Sequence, residues 1–283
     1  MNKLQKLITR SRRLFSTDRH ERASAKLEFW LSFKYRTARF TQRNTNDYLR
    51  MQNHFYELAA SADQISAGAI GGDFVVGSWK QHDDWLDYET FLLKHVPPQP
   101  VWTALEYGCG PGRNIRRFSR RFARIDGVDI SRQNLLNAER FLATQIPAAK
   151  MPRLFVTGGS DTGAAPENSY DFCFSTICLQ HICVWEVRFS IFKSLFKVLK
   201  PGGRLGIQMG YGSKASNTVP YRANHYVAGS TNSGCDVSIQ DPSEPQSDLR
   251  EIGFTDFEYW VRPGFPTDFH PKWIFFTATK PVN

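Results

Sequence analysis

The sequence predicts an α/β protein: a doubly wound, mostly parallel seven-stranded sheet closed by an antiparallel C-terminal hairpin and preceded by a basic helical extension. Three observations carry this expectation. From about residue 84, short apolar runs alternate with amphipathic stretches. The first apolar run leads straight into a turn that holds Gly108, Gly110 and Gly112. The last two apolar runs follow each other with no helix between them. Alternating strands and helices imply parallel strands with helices on both faces, whereas two consecutive strands imply a hairpin.

The elements follow in order. "DDWLDYETFLLKHV" (83–96) reads as an amphipathic helix stopped by Pro97 and Pro98. "VWTALEYG" (101–108) is a buried strand, "RNIRRFSRRF" (113–122) a helix and "RIDGVDIS" (124–131) a second strand. "RQNLLNAERFLATQ" is the next helix, "RLFVTGGSD" the third strand and "YDFCFSTICL" the fourth. "WEVRFSIFKSLFKVLKPGG" (185–203) is a helix with a Pro-Gly-Gly stop, and "RLGIQMG" the fifth strand. Residues 211–247 are rich in Gly, Ser, Asn and Pro and read as a long loop, of a length that usually carries function or disorder. "SDLREIGF" is a short helix, and "TDFEYWV" and "KWIFFTATK" are the closing strands.

The formal charge of +9 is carried by one end of the chain. Residues 1–50 hold 13 Lys and Arg against four acids, so the remainder is formally neutral. "MNKLQKLITRSRRLF" sets Leu4, Leu7, Ile8, Leu14 and Phe15 near one helical face and most of its cations on the other. Such a helix can lie on an anionic membrane surface, and the aromatics of "KLEFWLSFKYRTARF" (26–40) suit that interface. The plainer alternative is a helix packed on the body. A mitochondrial targeting segment over residues 1–17, or an arm that grips RNA, are further alternatives. No run of about 18 apolar residues occurs, which argues against a membrane-spanning segment.

The five cysteines are odd in number and form no CxxC pair, which argues against a disulfide framework or a zinc site. Reduced thiols in a cytoplasmic compartment are the expectation, with no metal.

A glycine turn between a strand and a helix lets the backbone come close to a ligand beside the free N–H groups of the helix. In the dinucleotide pattern G-x-G-x-x-G the third glycine would stand at position 113, which is Arg113; the glycine arrives one residue early, at Gly112. Glu106 precedes the turn by two residues. Asp129 ends the second strand 21 residues after Gly108, where a carboxylate can receive both hydroxyls of a ribose. Asp161 follows the third strand, in reach of an adenine amino group.

"LEYGCGPGR", "GVDIS", "GGSD", "YDFCFSTICLQHI" and "LKPGGRLGIQM", in this order, resemble the successive motifs of class I S-adenosylmethionine-dependent methyltransferases, in the style of the broad small-molecule group. The resemblance covers about residues 85–210. It implies a Rossmann-like methyltransferase fold and S-adenosyl-L-methionine as cofactor, with a domain over residues 51–283 behind the extension at 1–50. Glu106 would hold the methionine end, and Gly108, Cys109 and Gly110 would supply backbone contact. Asp129 would bind the ribose, Ile130 would pack on the adenine, Ser160 and Asp161 would address it, and Thr176 would line the methionine side.

Methyl transfer from a sulfonium needs alignment, and it needs a base only for an acceptor whose proton is hard to lose. His181, in "LQHI", is the candidate base, with His82, His225 and Tyr211 as alternatives from segments near the same edge. Trp79 is a candidate for cation–π cover of the sulfonium, or else a packing residue. After the fourth strand the chain has "STICLQ" and not the D/N-P-P-Y/F turn of enzymes that methylate base amines, and Cys178 follows Ile177 and not a proline. Nucleic acid therefore ranks below a small-molecule or glycan acceptor, O-methylated and presented, in one reading, on a lipid at a membrane surface. An RNA methyltransferase, a non-catalytic partner protein of the same fold, and a nicotinamide oxidoreductase are the competing readings.

Overall fold

A computed structural model describes residues 44–67, 87–94, 96, 99–212, 218–226, 236–264 and 270–282. Most of the basic extension lies outside these residues, as do Trp79 and His82.

The first described helix, α1 (Thr45–Ala67), runs through residue 50, the boundary expected between extension and domain. It lies along the carboxyl edge of the sheet. Glu57 accepts hydrogen bonds from the backbone N–H groups of Arg132 (2.6 Å) and Gln133 (3.2 Å), and so caps the helix that starts there. Asn53 donates to the Ile130 carbonyl at 2.6 Å, and Tyr48 accepts from the Cys183 N–H at 3.0 Å. Of the helix expected over 83–96, the described part is a single π-helical turn, Tyr88–Leu92, which buries Tyr88 and Leu92.

The expected sheet is present. Its strands are β1 (Gln99–Tyr107), β2 (Phe122–Asp129), β3 (Leu154–Val156), β4 (Tyr170–Ser175), β5 (Leu199–Tyr211), β8 (Thr255–Pro263) and β9 (Lys272–Thr279). β6 (Thr218–Pro220) and β7 (Asp236–Ser238) form a separate two-stranded sheet. The order in space is β3-β2-β1-β4-β5-β9-β8, with β1 to β5 parallel and the last two antiparallel. β1 has β2 on one side and β4 on the other, so successive crossovers leave it in opposite directions and open a crevice at its carboxyl end.

Helices α2 (Arg113–Phe118) and α3 (Arg132–Ala143) cover one face, and α4 (Trp185–Val198) and α5 (Ser243–Ile252) the other. α3 buries Leu135, Ala138 and Leu142 on one stripe, and the Ser131 hydroxyl caps it by accepting from the Asn134 N–H at 3.0 Å. Ile191, Phe192 and Leu195 of α4 pack with Ile207 and Met209 of β5 and Phe276 of β9.

Several boundaries differ from the sequence reading: β3 ends at Val156, five residues early, and β4 at Ser175, four residues early, the chain beyond each running as loop. α2 ends at Phe118, four residues early, because Phe122 is buried in β2 with its ring stacked on Phe172 at 6.0 Å. α4 ends at Val198, not at the glycines. Leu199 pairs with Tyr170, and Gly202 and Gly203 exchange backbone hydrogen bonds with Lys280, so "LKPGG" is extended and belongs to the sheet. Residues 211–247 are not one long loop. β6 (Thr218–Pro220) and β7 (Asp236–Ser238) form a small parallel pair, joined to the main body by a bridge between Tyr211 and Ile239, and α5 begins at Ser243. Among the described residues, no helix is long and apolar enough to cross a membrane.

Candidate active site

The turn after β1 is built on three left-handed residues: Gly108 (φ 72°), Gly110 (φ 50°) and Gly112 (φ 87°). Their reasons differ. A Cβ on Gly108 would stand 2.2 Å from the Cys178 sulfur, and one on Gly112 would meet Leu142 at 2.9 Å. A Cβ on Gly110 would point into open space. Close packing sets the first and last glycines, while the middle one has open space beside it. The backbone N–H groups of the turn are already engaged: Gly108 and Cys109 donate to the Val128 carbonyl, Gly112 to that of Cys109, and Gly110 to Asp129 at 2.9 Å. Contact expected from Gly108, Cys109 and Gly110 is thus left to their α-carbons and carbonyls. The Cys109 side chain is buried, and its sulfur would lie 2.7 Å from a Cβ on Gly127.

Glu106 is buried at the carboxyl end of β1. Its Oε1 accepts from Asn114 Nδ2 at 2.6 Å, and the same amide reaches Thr176 Oγ1 at 2.8 Å. Glu106 Oε2 and Asn114 Oδ1 are buried with no hydrogen-bond partner. Burial pushes the Glu106 carboxyl up to about 8, against the opposing pull of the Asn114 hydrogen bond. Two unsatisfied acceptors on the residues flanking the glycine turn fit a ligand bearing a cationic amine, which the methionine end of S-adenosylmethionine carries. Asn114 escaped the sequence reading. Its signal is an amide on the second residue of the helix that follows the glycine turn.

Asp129 ends β2, buried, with Oδ2 accepting from Gly110 and Oδ1 from the Ser131 N–H (2.9 Å) and Asn134 Nδ2 (3.3 Å). Burial raises its pKa, and these donors pull it back. Oδ2, with one donor, keeps a lone pair for a hydroxyl. Ile130 is half-buried, and its Cδ1 reaches toward Gly159, where a Cβ would come within 2.7 Å of it. Ser160 is half-buried in the next loop. Asp161 is exposed and holds its own loop, with Oδ1 accepting from Thr157 Oγ1 (2.7 Å) and the Gly163 N–H (2.8 Å).

Thr176 is buried after β4, and Ile177 takes φ 49°, an uncommon conformation for a β-branched residue. The chain then turns through a short 3-10 segment, Leu179–His181. His181 Nδ1 lies 2.7 Å from Oδ1 of Asp236 on β7. Behind it, the buried His270 places Nε2 at 3.4 Å from Asp236 Oδ2. The two histidines hold the Asp236 carboxyl down at about 2, although burial pushes the other way. Neither Asp236 nor His270 was expected from the sequence, since each lies in a stretch without regular spacing. Of the alternative bases, His225 is exposed, with its backbone N–H on the Cys183 carbonyl, and Tyr211 is half-buried beneath the Lys272 ammonium at 6.0 Å. The Cys178 thiol packs on Gly108 and is pushed up to about 12 by burial, which suits a packing residue and not a nucleophile.

Residues 105–207 match a family model described as a methyltransferase domain. The chain is 32% identical over 121 residues to a trans-aconitate 2-methyltransferase of Paracidovorax citrulli, covering 42% of each chain. It is 32% identical over 134 residues to phosphoethanolamine N-methyltransferase 2 of Caenorhabditis elegans, covering 44% of this chain and 28% of that one. It thus spans less than half the length of these curated relatives. In fold it is similar to Haemonchus contortus phosphoethanolamine N-methyltransferase 2 in complex with S-adenosyl-L-methionine, at a TM-score of 0.53 and 18% identity over 72% of this chain and 56% of that one. A SAM-dependent methyltransferase from Methanosarcina mazei gives a TM-score of 0.52 at 19% identity, over 68% of this chain and 98% of that one. Residues 105–207 thus match a methyltransferase domain, and the strand order around them is the fold of S-adenosylmethionine-dependent methyltransferases of solved structure.

Proposed function

We propose that the protein is an S-adenosylmethionine-dependent methyltransferase that O-methylates a small molecule or a glycan, in one form carried on a lipid. The observation that supports it most is the pair of unsatisfied acceptors, Glu106 Oε2 and Asn114 Oδ1, buried on the two residues that flank the glycine turn. Glu106, Asn114 and Thr176 would hold the amino-acid end of the cofactor, and Asp129 the ribose. When bound, the cofactor supplies a sulfonium methyl that leaves with the bonding pair remaining on sulfur, so the protein itself has only one proton to move, from the acceptor's hydroxyl. His181 is the residue that would take it.

Relatives named for trans-aconitate 2-methylation, sterol 24-C-methylation and phosphoethanolamine N-methylation differ in their acceptors. The choice of oxygen rests on the histidine and its carboxylate, which suit removal of a proton that an unassisted hydroxyl does not give up near neutrality. Titration calorimetry with S-adenosylhomocysteine tests cofactor binding; absence of binding to the full chain would overturn the proposal. Mass spectrometry after incubation with methyl-deuterated cofactor and panels of hydroxylated acids, glycans and lipid-linked glycans tests the acceptor class. Labelled amines or carbons without labelled hydroxyls would refute O-methylation.

The basic extension is proposed to bring this site to an anionic membrane surface through residues 1–45. Flotation with vesicles containing phosphatidylserine should recover the full chain and lose the form truncated at residue 45, and equal recovery would reject the role.

A further inference from the structure

The insertion between β5 and α5 supplies Asp236, and its geometry bears on the base. Asp236 is 4% exposed. One oxygen is 2.7 Å from His181 Nδ1, and the other faces the fully buried ring of His270 at 3.4 Å. An ionised carboxylate offers acceptors alone, so the hydrogen between it and His181 belongs to Nδ1. The other ring nitrogen, Nε2, has no partner among the described residues, and the His181 side chain keeps 22% of its surface exposed. Every other described contact to this residue engages its backbone: from α1, Tyr48 Oη and Gln52 Nε2 donate to the His181 carbonyl at 3.5 and 3.1 Å, and the His181 N–H goes to the Cys178 carbonyl. The ring is thus oriented from one side, by one group.

We propose that Asp236 is a positioning residue that holds His181 in the Nδ1–H tautomer, so that Nε2 carries the lone pair that receives the acceptor's hydroxyl proton. This rests on the reading of the chain as an O-methyltransferase with His181 as its base. The proton moves from the acceptor oxygen to Nε2 as that oxygen forms its bond to the methyl carbon. The imidazolium produced then faces an existing negative charge, which lowers the cost of forming it. His270 braces the carboxylate from behind. Gly210 makes room for this, because a Cβ there would come within 2.1 Å of the His270 ring.

The tautomer can be read without an acceptor. In the full chain labelled with ¹⁵N-histidine, at a pH where the ring is neutral, the His181 signals are those that vanish in H181Q. Expected is a protonated-type shift at Nδ1 and an unprotonated-type shift at Nε2. In D236N the amide can donate to Nδ1 and should move the proton to Nε2. A wild-type ring already protonated at Nε2, or a pattern unchanged in D236N, overturns the proposal. If D236N fails to fold, the wild-type spectrum alone decides. With an acceptor identified as above, D236N should lower kcat about 100-fold and leave KM within about twofold. A loss confined to KM would assign Asp236 to binding instead. Failure of the wild-type chain to bind S-adenosylhomocysteine would remove the methyltransferase reading while leaving the tautomer result to stand or fall separately.

Discussion

The two halves of the carboxyl edge are built differently. On the cofactor side, Glu106, Gly110, Asn114 and Asp129 come from the ends of two neighbouring strands and the turn and helix start between them, within 24 residues of one another in sequence. On the proposed acceptor side, His181, Asp236 and His270 converge from segments 55 and 34 residues apart. The first half is held by short-range backbone hydrogen bonds inside one βαβ unit. The second is held by a buried polar network: Asp248 accepts from Trp185 Nε1, Tyr221 Oη and Arg222 Nη2, each at 2.8 Å. The fully buried Arg188 donates to the Ile182 and Tyr221 carbonyls and lies over the Tyr221 ring at 5.0 Å. A site can thus be assembled partly by local geometry and partly by long-range bracing, and the two parts should respond differently to substitution.

E106Q should separate binding from stability. It removes the charge proposed to meet a cationic amine, so S-adenosylhomocysteine affinity at pH 8 should fall about 100-fold, roughly what losing one partner of a buried ion pair costs. Without ligand the effect reverses. Folding raises this carboxyl from 4.5 to about 8, so its contribution to stability is full below 4.5 and is lost as pH rises to 8. E106Q should therefore be more stable than wild type at pH 8, by about 1–3 kcal/mol in urea titration. The same linkage predicts proton release when S-adenosylhomocysteine binds the wild type near pH 7, seen as a buffer-dependent binding enthalpy. No buffer dependence would mean that Glu106 does not meet the amine.

On the acceptor side, D248A leaves the buried Tyr221 hydroxyl and the half-buried Trp185 indole N–H without their acceptor and should cost about 3 kcal/mol. Hydrogen exchange should then quicken first over residues 218–226, with the β1 and β4 amides still protected. Equal loss across the sheet would erase the proposed independence of the two halves.

G108A tests the seam between them, because its Cβ would collide with Cys178 Sγ. A loss of about 2–3 kcal/mol is expected in thermal or urea unfolding. The double variant G108A/C178A should recover the steric part and keep about 1 kcal/mol from the left-handed backbone. No recovery would show that the contact is not the cause. Smallest is E57A, which removes the carboxylate over the start of α3 and should cost about 0.5–1 kcal/mol, less at high salt.

Much of the cofactor half was legible in the sequence because its signals are local. A glycine at 112 and not at 113, a glutamate two residues before the turn and an aspartate at the end of the next strand all follow from chain spacing within one repeat of strand and helix. The closing hairpin was legible for the same reason. Element ends were less so. Phe122 joined β2 and "LKPGG" joined β5 because burial against Phe172 and pairing with Tyr170 and Lys280 overrode local helix preference.

By itself the sequence determined the α/β alternation, the strand that bears the turn, and the carboxylates on successive strand ends, since periodicity and turn chemistry act over a few residues. Only the tertiary structure decided that the turn's N–H groups are already engaged, that the Asn114 amide is shared between Glu106 and Thr176, and that His181 has a carboxylate at all. Asp236 comes to His181 because the insertion folds back over β5 and is clamped by Asp248 and Arg188. No spacing rule encodes that contact, since its energy comes from burying groups that are far apart along the chain.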